Sequence, residues 1–354
     1  MFGFSIYLDS SVSNKKEYIN KMIEGGFKGV FTSLQIPEEN SENYLKNIRE
    51  LGNVCKQNNL NLTVDISDTT LSKLNISLLD NSFFEEIGIT TVRIDAGISN
   101  ETIALASQHL KIALNASTIS EKDLKELENE NANFNNLEAW NNYYPHPNTG
   151  IGKNFLLKKM KMFHNHNVKF FAFIPGDNNL RQPLFCGLPT LEEQRYAAPF
   201  YNLLELISMG VDSIYIGDEG LSKNSEYQIK QYLQNNIMVF YLNQYDANYE
   251  KWIFKKHRNR ADCPEDVFRS AESRLWDIPD LPPENCSERI KGSVTIDNLL
   301  YGRYAGEIQI VKKNLPSDKK VNVIAHICNR DIPLLNFANE NQKIIFKSIK
   351  ESEY

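Results

Sequence analysis

The chain has 354 residues, a formal net charge of −6 and 41% hydrophobic residues. That length exceeds one ordinary domain, and an acidic balance with one short basic cluster excludes a surface for nucleic-acid backbones. No apolar run approaches a membrane span, and the five cysteines lack C-x-x-C spacing, which argues against a disulfide framework or a zinc site.

Eight short apolar runs come first, at residues 4–8, 30–34, 62–66, 92–96, 112–116, 137–141, 170–175 and 213–217. A strand covered on both faces loses strict alternation and reads as a continuous apolar run, as in Phe170-Phe171-Ala172-Phe173-Ile174. Run 137–141 has little β-branched content and is the weakest of the set. Between the runs, apolar residues recur at helical spacing over 15–24, 42–57 and 156–165. Asn14, with Glu17 three residues on, is expected to cap the first of these helices. Regular strand–helix alternation predicts an α/β fold, a (β/α)8 TIM barrel over residues 1–236.

From residue 237 the texture changes. Strands are expected at 236–242, 251–256, 289–296, 306–312, 321–327 and 343–349, without regular intervening helices. Strands that follow one another closely predict a smaller, mostly antiparallel β domain over 237–354. The basic cluster at 255–260 reads as a solvated strand end. The first apolar run has no basic leader and is interrupted by Asp9, so the protein is expected in the cytoplasm.

The ends of the barrel strands carry the chemistry. Asp9, Glu38, Asp65, Asp95, Asn115, Asn142, Asp177 and Asp218 stand at or just past them, on the rim where barrel enzymes place their active sites. Two carboxylates across a sugar-sized gap are the working parts of glycoside hydrolysis, and a crowded acidic rim raises the pKa of one of them. Asp218, between Gly217 and Glu219, is the expected essential carboxylate, with Glu38 or Asp65 opposite and Glu219 as the next candidate. An all-oxygen ring also suits magnesium, so a metal-dependent lyase or isomerase of a sugar phosphate is the alternative reading.

Several stretches carry a family resemblance. They include Phe4-Ser5-Ile6-Tyr7-Leu8, Phe31-Thr32-Ser33-Leu34-Gln35-Ile36-Pro37-Glu38, Val92-Arg93-Ile94-Asp95 and Leu114-Asn115-Ala116-Ser117-Thr118. Asn142-Tyr143-Tyr144-Pro145, Gly187-Leu188-Pro189-Thr190, Tyr215-Ile216-Gly217-Asp218 and Ile296-Asp297-Asn298-Leu299-Leu300-Tyr301-Gly302-Arg303-Tyr304 continue in order. Together they resemble the bacterial 6-phospho-N-acetylmuramidases over nearly the whole chain. The resemblance implies a TIM barrel followed by a cyclophilin-like β domain. It implies hydrolysis of the β-1,4 bond of N-acetylmuramic acid 6-phosphate–N-acetylglucosamine in peptidoglycan recycling, with no cofactor, metal, nucleic acid or membrane partner.

Such a disaccharide carries a phosphate and a lactyl carboxylate, so the acidic mouth needs imported positive charge. Arg181 and Arg195 in the barrel, and Arg258 and Arg303 in the second domain, are the candidates, because the guanidinium fork meets phosphate oxygens in pairs. Asp95, Asn115, Asn142 and Tyr144 complete the expected substrate contacts.

Overall fold

The computed structural model describes residues 1–34, 41–95, 97–278 and 281–349. The chain divides into two compact units, Met1–Glu226 and Tyr227–Tyr354. In the first, eight parallel strands close into a barrel: β1 (Phe2–Ser5), β2 (Gly29–Ser33), β3 (Asn61–Ile66), β4 (Thr91–Ile94), β5 (Lys111–Asn115), β6 (Leu137–Trp140), β7 (Lys169–Ile174) and β8 (Ser213–Ile216). The expected TIM-barrel architecture is what forms. Most strands begin one residue earlier than the apolar runs suggest, and β1 ends at Ser5 rather than Leu8.

Side chains alternate along each strand, and those turned inward fill the barrel. Phe31, Ala113, Trp140, Phe171, Phe173 and Tyr215 make one buried cluster. Trp140 stacks on Phe171 with ring centroids 4.6 Å apart and lies 4.5 Å from Tyr215. A Cβ on either Gly3 or Gly29 would lie 2.0 Å from an atom of Tyr215, so these two glycines make room for that ring. Strand β6, weak in propensity, is secured by this packing; context outweighs intrinsic preference in sheets.

The helices at Lys16–Glu24, Ser41–Gln57 and Lys153–Asn165 agree with the periodicity. The expected cap does not form. Asn14 lies inside a 3-10 turn, Val12–Lys15, capped by Ser11, and the helix after it has no side-chain cap.

The second unit holds a seven-stranded sheet, β9 (Ile237–Tyr245), β10 (His257–Arg258), β11 (Val267–Arg269), β12 (Ser293–Asp297), β13 (Ile308–Val311), β14 (Val321–Ile327) and β15 (Lys343–Ser348). Their order is β10-β15-β9-β14-β12-β13-β11. All pairings are antiparallel except β9 with β15. Two expectations need correction here. The stretch 251–256 is no strand, since Glu250–Ile253 forms a helical turn that buries Trp252 and Ile253. A short apolar run does not distinguish the two conformations. Nor is the basic cluster wholly solvated. His257 is buried, its Nε2–H donating to the Ile253 carbonyl and its Nδ1 accepting from the Ser270 hydroxyl, and burial lowers its pKa to about 4. All five cysteines are free.

Candidate active site

Register decides which polar side chains meet at the C-terminal end of the barrel. Asp65 on β3 is the lateral partner of both Ser33 on β2 and Arg93 on β4. Neighbours in register point to the same side, so all three turn inward. Arg93 Nη1 donates to Asp65 Oδ1 at 2.5 Å and lies 3.7 Å from Asp95 Oδ1. Its Nη2 donates to Asn142 Oδ1, and Asn115 Nδ2 donates to Asp95 at 3.3 Å. One cation thus stands between two carboxyl groups. Burial pushes the Asp65 carboxyl above its ordinary pKa, against the pull of Arg93.

All of these groups except Asn115 line a cavity of about 390 Å³ together with Phe31, Asn141, Tyr143, Phe173 and Arg181, a size that suits a small-molecule site. Its apolar wall is the upper face of the barrel core, since Phe31 and Phe173 both contact Trp140. Asp65 is buried, whereas the Asp95 side chain is 37% exposed.

Arg181 supplies the cavity's second cation. Its guanidinium lies 3.7 Å above the Tyr7 ring and donates to Tyr143 Oη at 2.6 Å. Among the described residues no carboxylate lies within ion-pairing distance of it. Stacking fixes the plane of the guanidinium and leaves N–H groups open to an anion.

The backbone that carries Arg181 is held by Asp218. That carboxylate is fully buried, and its oxygens accept from the backbone N–H groups of Gly176, Arg181 and Leu188 at 2.9–3.0 Å. It is absent from the residues lining the cavity. Burial raises its pKa while the three N–H groups oppose that shift. Glu219 is likewise absent from that lining, accepting from Lys15 Nζ and from the Tyr7 N–H. Asp177 anchors Ser222 and Ser225, and Asp9 pairs with Lys15. Glu38 lies outside the described residues.

Arg195 is built into the wall rather than offered to a ligand. Its side chain is 1% exposed and makes a two-point bond to Glu192. Its remaining donors reach the carbonyls of Tyr144, His146, Cys186 and Gly187. Tyr144 hydrogen-bonds Ser117. In the second unit, Arg258 pairs with Glu272 and Arg303 stacks on Tyr304. The residues that sequence reasoning left out are Asn141, Tyr143, Phe173 and the central Arg93. Their signal lay in adjacency, because Asn141 and Tyr143 flank Asn142 just past β6.

The Glu192–Arg195 pair has a consequence in acid. The bond to Arg195, helped by the Asn148 and Gly150 N–H groups, holds the Glu192 pKa at about 2, below its ordinary 4.5. A depressed carboxylate pKa contributes stability above the unfolded value and loses it as pH falls toward the folded one. Between pH 4.5 and 2 the wild-type chain should therefore lose stability more steeply than an Arg195→Met variant. Parallel acid-unfolding curves would contradict this.

Comparison with known proteins follows the same outline. The model of the 6-phospho-N-acetylmuramidase N-terminal domain matches residues 2–231, and that of the C-terminal domain matches 236–347. A conserved Enterococcus faecalis protein of unknown function is 37% identical in a solved structure. The match covers 100% of this chain and 98% of that one, with a TM-score of 0.92. An uncharacterized B. cereus protein is 26% identical, with 99% of each chain covered and a TM-score of 0.75. No curated protein matches the sequence.

Proposed function

Since the chain belongs to the 6-phospho-N-acetylmuramidase family, we propose that it hydrolyses the β-1,4 bond of N-acetylmuramic acid 6-phosphate–N-acetylglucosamine. The family name itself describes a glycosidase acting on a sugar phosphate. The observation that carries the finer reading is the composition of one cavity, where two carboxylates meet an aromatic wall and an arginine that has no carboxylate partner among the described residues. Such a site matches an anionic sugar better than a neutral one.

In this reading Asp65 and Asp95 are the carboxylates nearest the reacting bond. Burial raises the pKa of Asp65 against the pull of Arg93, the direction that suits the group giving a proton to the leaving oxygen, and the more exposed Asp95 faces the sugar ring. Arg93 fixes both. Arg181 binds the 6-phosphate or the lactyl carboxylate. Asp218, first expected to do chemistry, becomes a positioning residue that holds the backbone of Arg181. Glu219 acts on Lys15, and Arg195 on the wall. Asn115 and Asn142 orient Asp95 and Arg93. Breakdown of a phosphorylated disaccharide of this kind belongs to the recycling of cell-wall material, in the cytoplasm where phosphorylated sugars accumulate.

Among the described residues no helix is long and apolar enough to cross a membrane. No group of three or more metal-ligating side chains among them is arranged to hold a metal ion.

Arg181 gives the direct test of substrate anchoring. Charge-assisted hydrogen bonds contribute roughly 1.5–3 kcal/mol, so Arg181→Met should lower kcat/KM on the phosphorylated disaccharide by about ten- to a hundredfold. Arg181→Lys should recover little, because lysine offers neither the planar fork nor the stacking on Tyr7. Steady-state kinetics on the three enzymes decides it. Equal kcat/KM in wild type and Arg181→Met would remove the anchor from the account. Activity should also survive a chelator, and its loss would favour the metal-dependent lyase or isomerase.

A further inference from the structure

Left-handed backbone is expensive for any residue with a Cβ, and asparagine tolerates it best after glycine. This chain follows that rule closely. Of the eleven non-glycine residues with positive φ among those described, nine are asparagine. Cys263 is a small exception, at φ 35°. Phe185 is a large one, at φ 51°.

Phe185 also breaks a second rule. The residue is 56% exposed, and the preceding Leu184 is 43% exposed. Large apolar side chains left in water add nothing to folding. The protein thus sustains backbone strain and exposed aromatic surface at one position, and strain of this kind gathers at ligand-binding sites.

The place in the fold is specific. The Phe185 N–H donates to the Arg181 carbonyl at 3.1 Å, closing one turn. Arg181, Gln182 and Pro183, the first three residues of that turn, line the cavity. The turn is fixed from behind, because Asp218 accepts from the N–H groups of Arg181 and Leu188 on either side of it. This anchored turn therefore carries an aromatic ring two residues beyond the last of the lining residues. The C–H faces of a pyranose are apolar, and an aromatic ring gives them a flat surface with little loss of side-chain freedom.

We infer that Phe185 is a substrate-binding residue, packing its ring against an apolar face of the bound sugar at the edge of the cavity. The inference rests on the glycosidase reading above. It makes an unusual demand, that a substitution weakening substrate binding should strengthen the fold.

The test uses the full chain and synthetic N-acetylmuramic acid 6-phosphate–N-acetylglucosamine. Phe185→Asn places the residue type this chain uses elsewhere at positive φ. Its Tm should rise by about 2 °C. Its KM should rise about three- to tenfold, the range of one aromatic contact, with kcat within about twofold of wild type. Phe185→Tyr keeps the ring and the strain, so it should restore KM without the gain in Tm. An unchanged KM in Phe185→Asn would overturn the inference. So would a Tm that falls as KM rises, because the ring would then be structural. A wild-type dimer that dissociates on Phe185→Asn would assign the ring to a subunit contact and also overturn it. Wild-type enzyme that cleaves no phosphorylated disaccharide defeats the functional reading itself, a result distinct from the others.

Discussion

Asp65→Asn is expected to lower kcat by at least about a hundredfold, the low end for a lost acid–base group. The side chain lines the cavity, is buried, and has its pKa raised by that burial. Asparagine keeps the shape and still accepts from Arg93, but it cannot hold or deliver a proton. Because the change also alters the buried hydrogen bond that Arg93 donates to this side chain, kcat has to be measured on enzyme shown to be folded. Asp95→Asn should give a loss of similar order with less effect on stability, since that side chain is part-exposed. Asp218→Asn separates chemistry from positioning. Its NH2 group would face a backbone N–H that now donates to the carboxylate. Tm should fall and KM rise, while the shape of the pH–kcat profile stays that of wild type. An Asp65→Asn enzyme with near-normal kcat would move the chemistry to another carboxylate.

Trp140→Ala should carry the largest effect on stability, about 3–5 kcal/mol, as for other fully buried large aromatics. The ring is 0% exposed and touches Phe31, Phe171, Phe173 and Tyr215. Its Nε1–H donates to Glu138 at 3.0 Å. Removing it opens a void at the centre of the barrel, which a closed sheet cannot collapse to fill. Two of its neighbours, Phe31 and Phe173, line the cavity, so KM should rise together with the loss of stability. Denaturant unfolding followed by circular dichroism measures the first effect. A shift below about 1 kcal/mol would mean that the barrel interior repacks freely, contrary to the density of natural cores.

The barrel was legible because its strands are buried on both faces and therefore appear as continuous apolar runs; 170–174 and 214–216 show this most plainly. The smaller β domain was legible only in its longer strands. β10 and β11, of two and three residues, are too short to show a period, and 251–256 carries an apolar run that serves a helical turn equally well. The site was legible as a rim but not as a set of directions. Sequence places Asp65, Asp95 and Asp218 alike at strand ends. Only register turns Asp65 toward Arg93, and only the path of residues 176–188 brings three backbone N–H groups onto Asp218. The fate of Arg195 did have a signal, since Glu192 precedes it by three residues, the spacing of a local ion pair.

The central claim is that this cavity hydrolyses a phosphorylated amino-sugar disaccharide. It is tested most directly by offering the purified protein an equimolar mixture of N-acetylmuramic acid 6-phosphate–N-acetylglucosamine and its unphosphorylated form, with products followed by mass spectrometry. Early release of N-acetylmuramic acid 6-phosphate and N-acetylglucosamine is expected, while the unphosphorylated disaccharide persists. Equal consumption of both, or of neither, would contradict it.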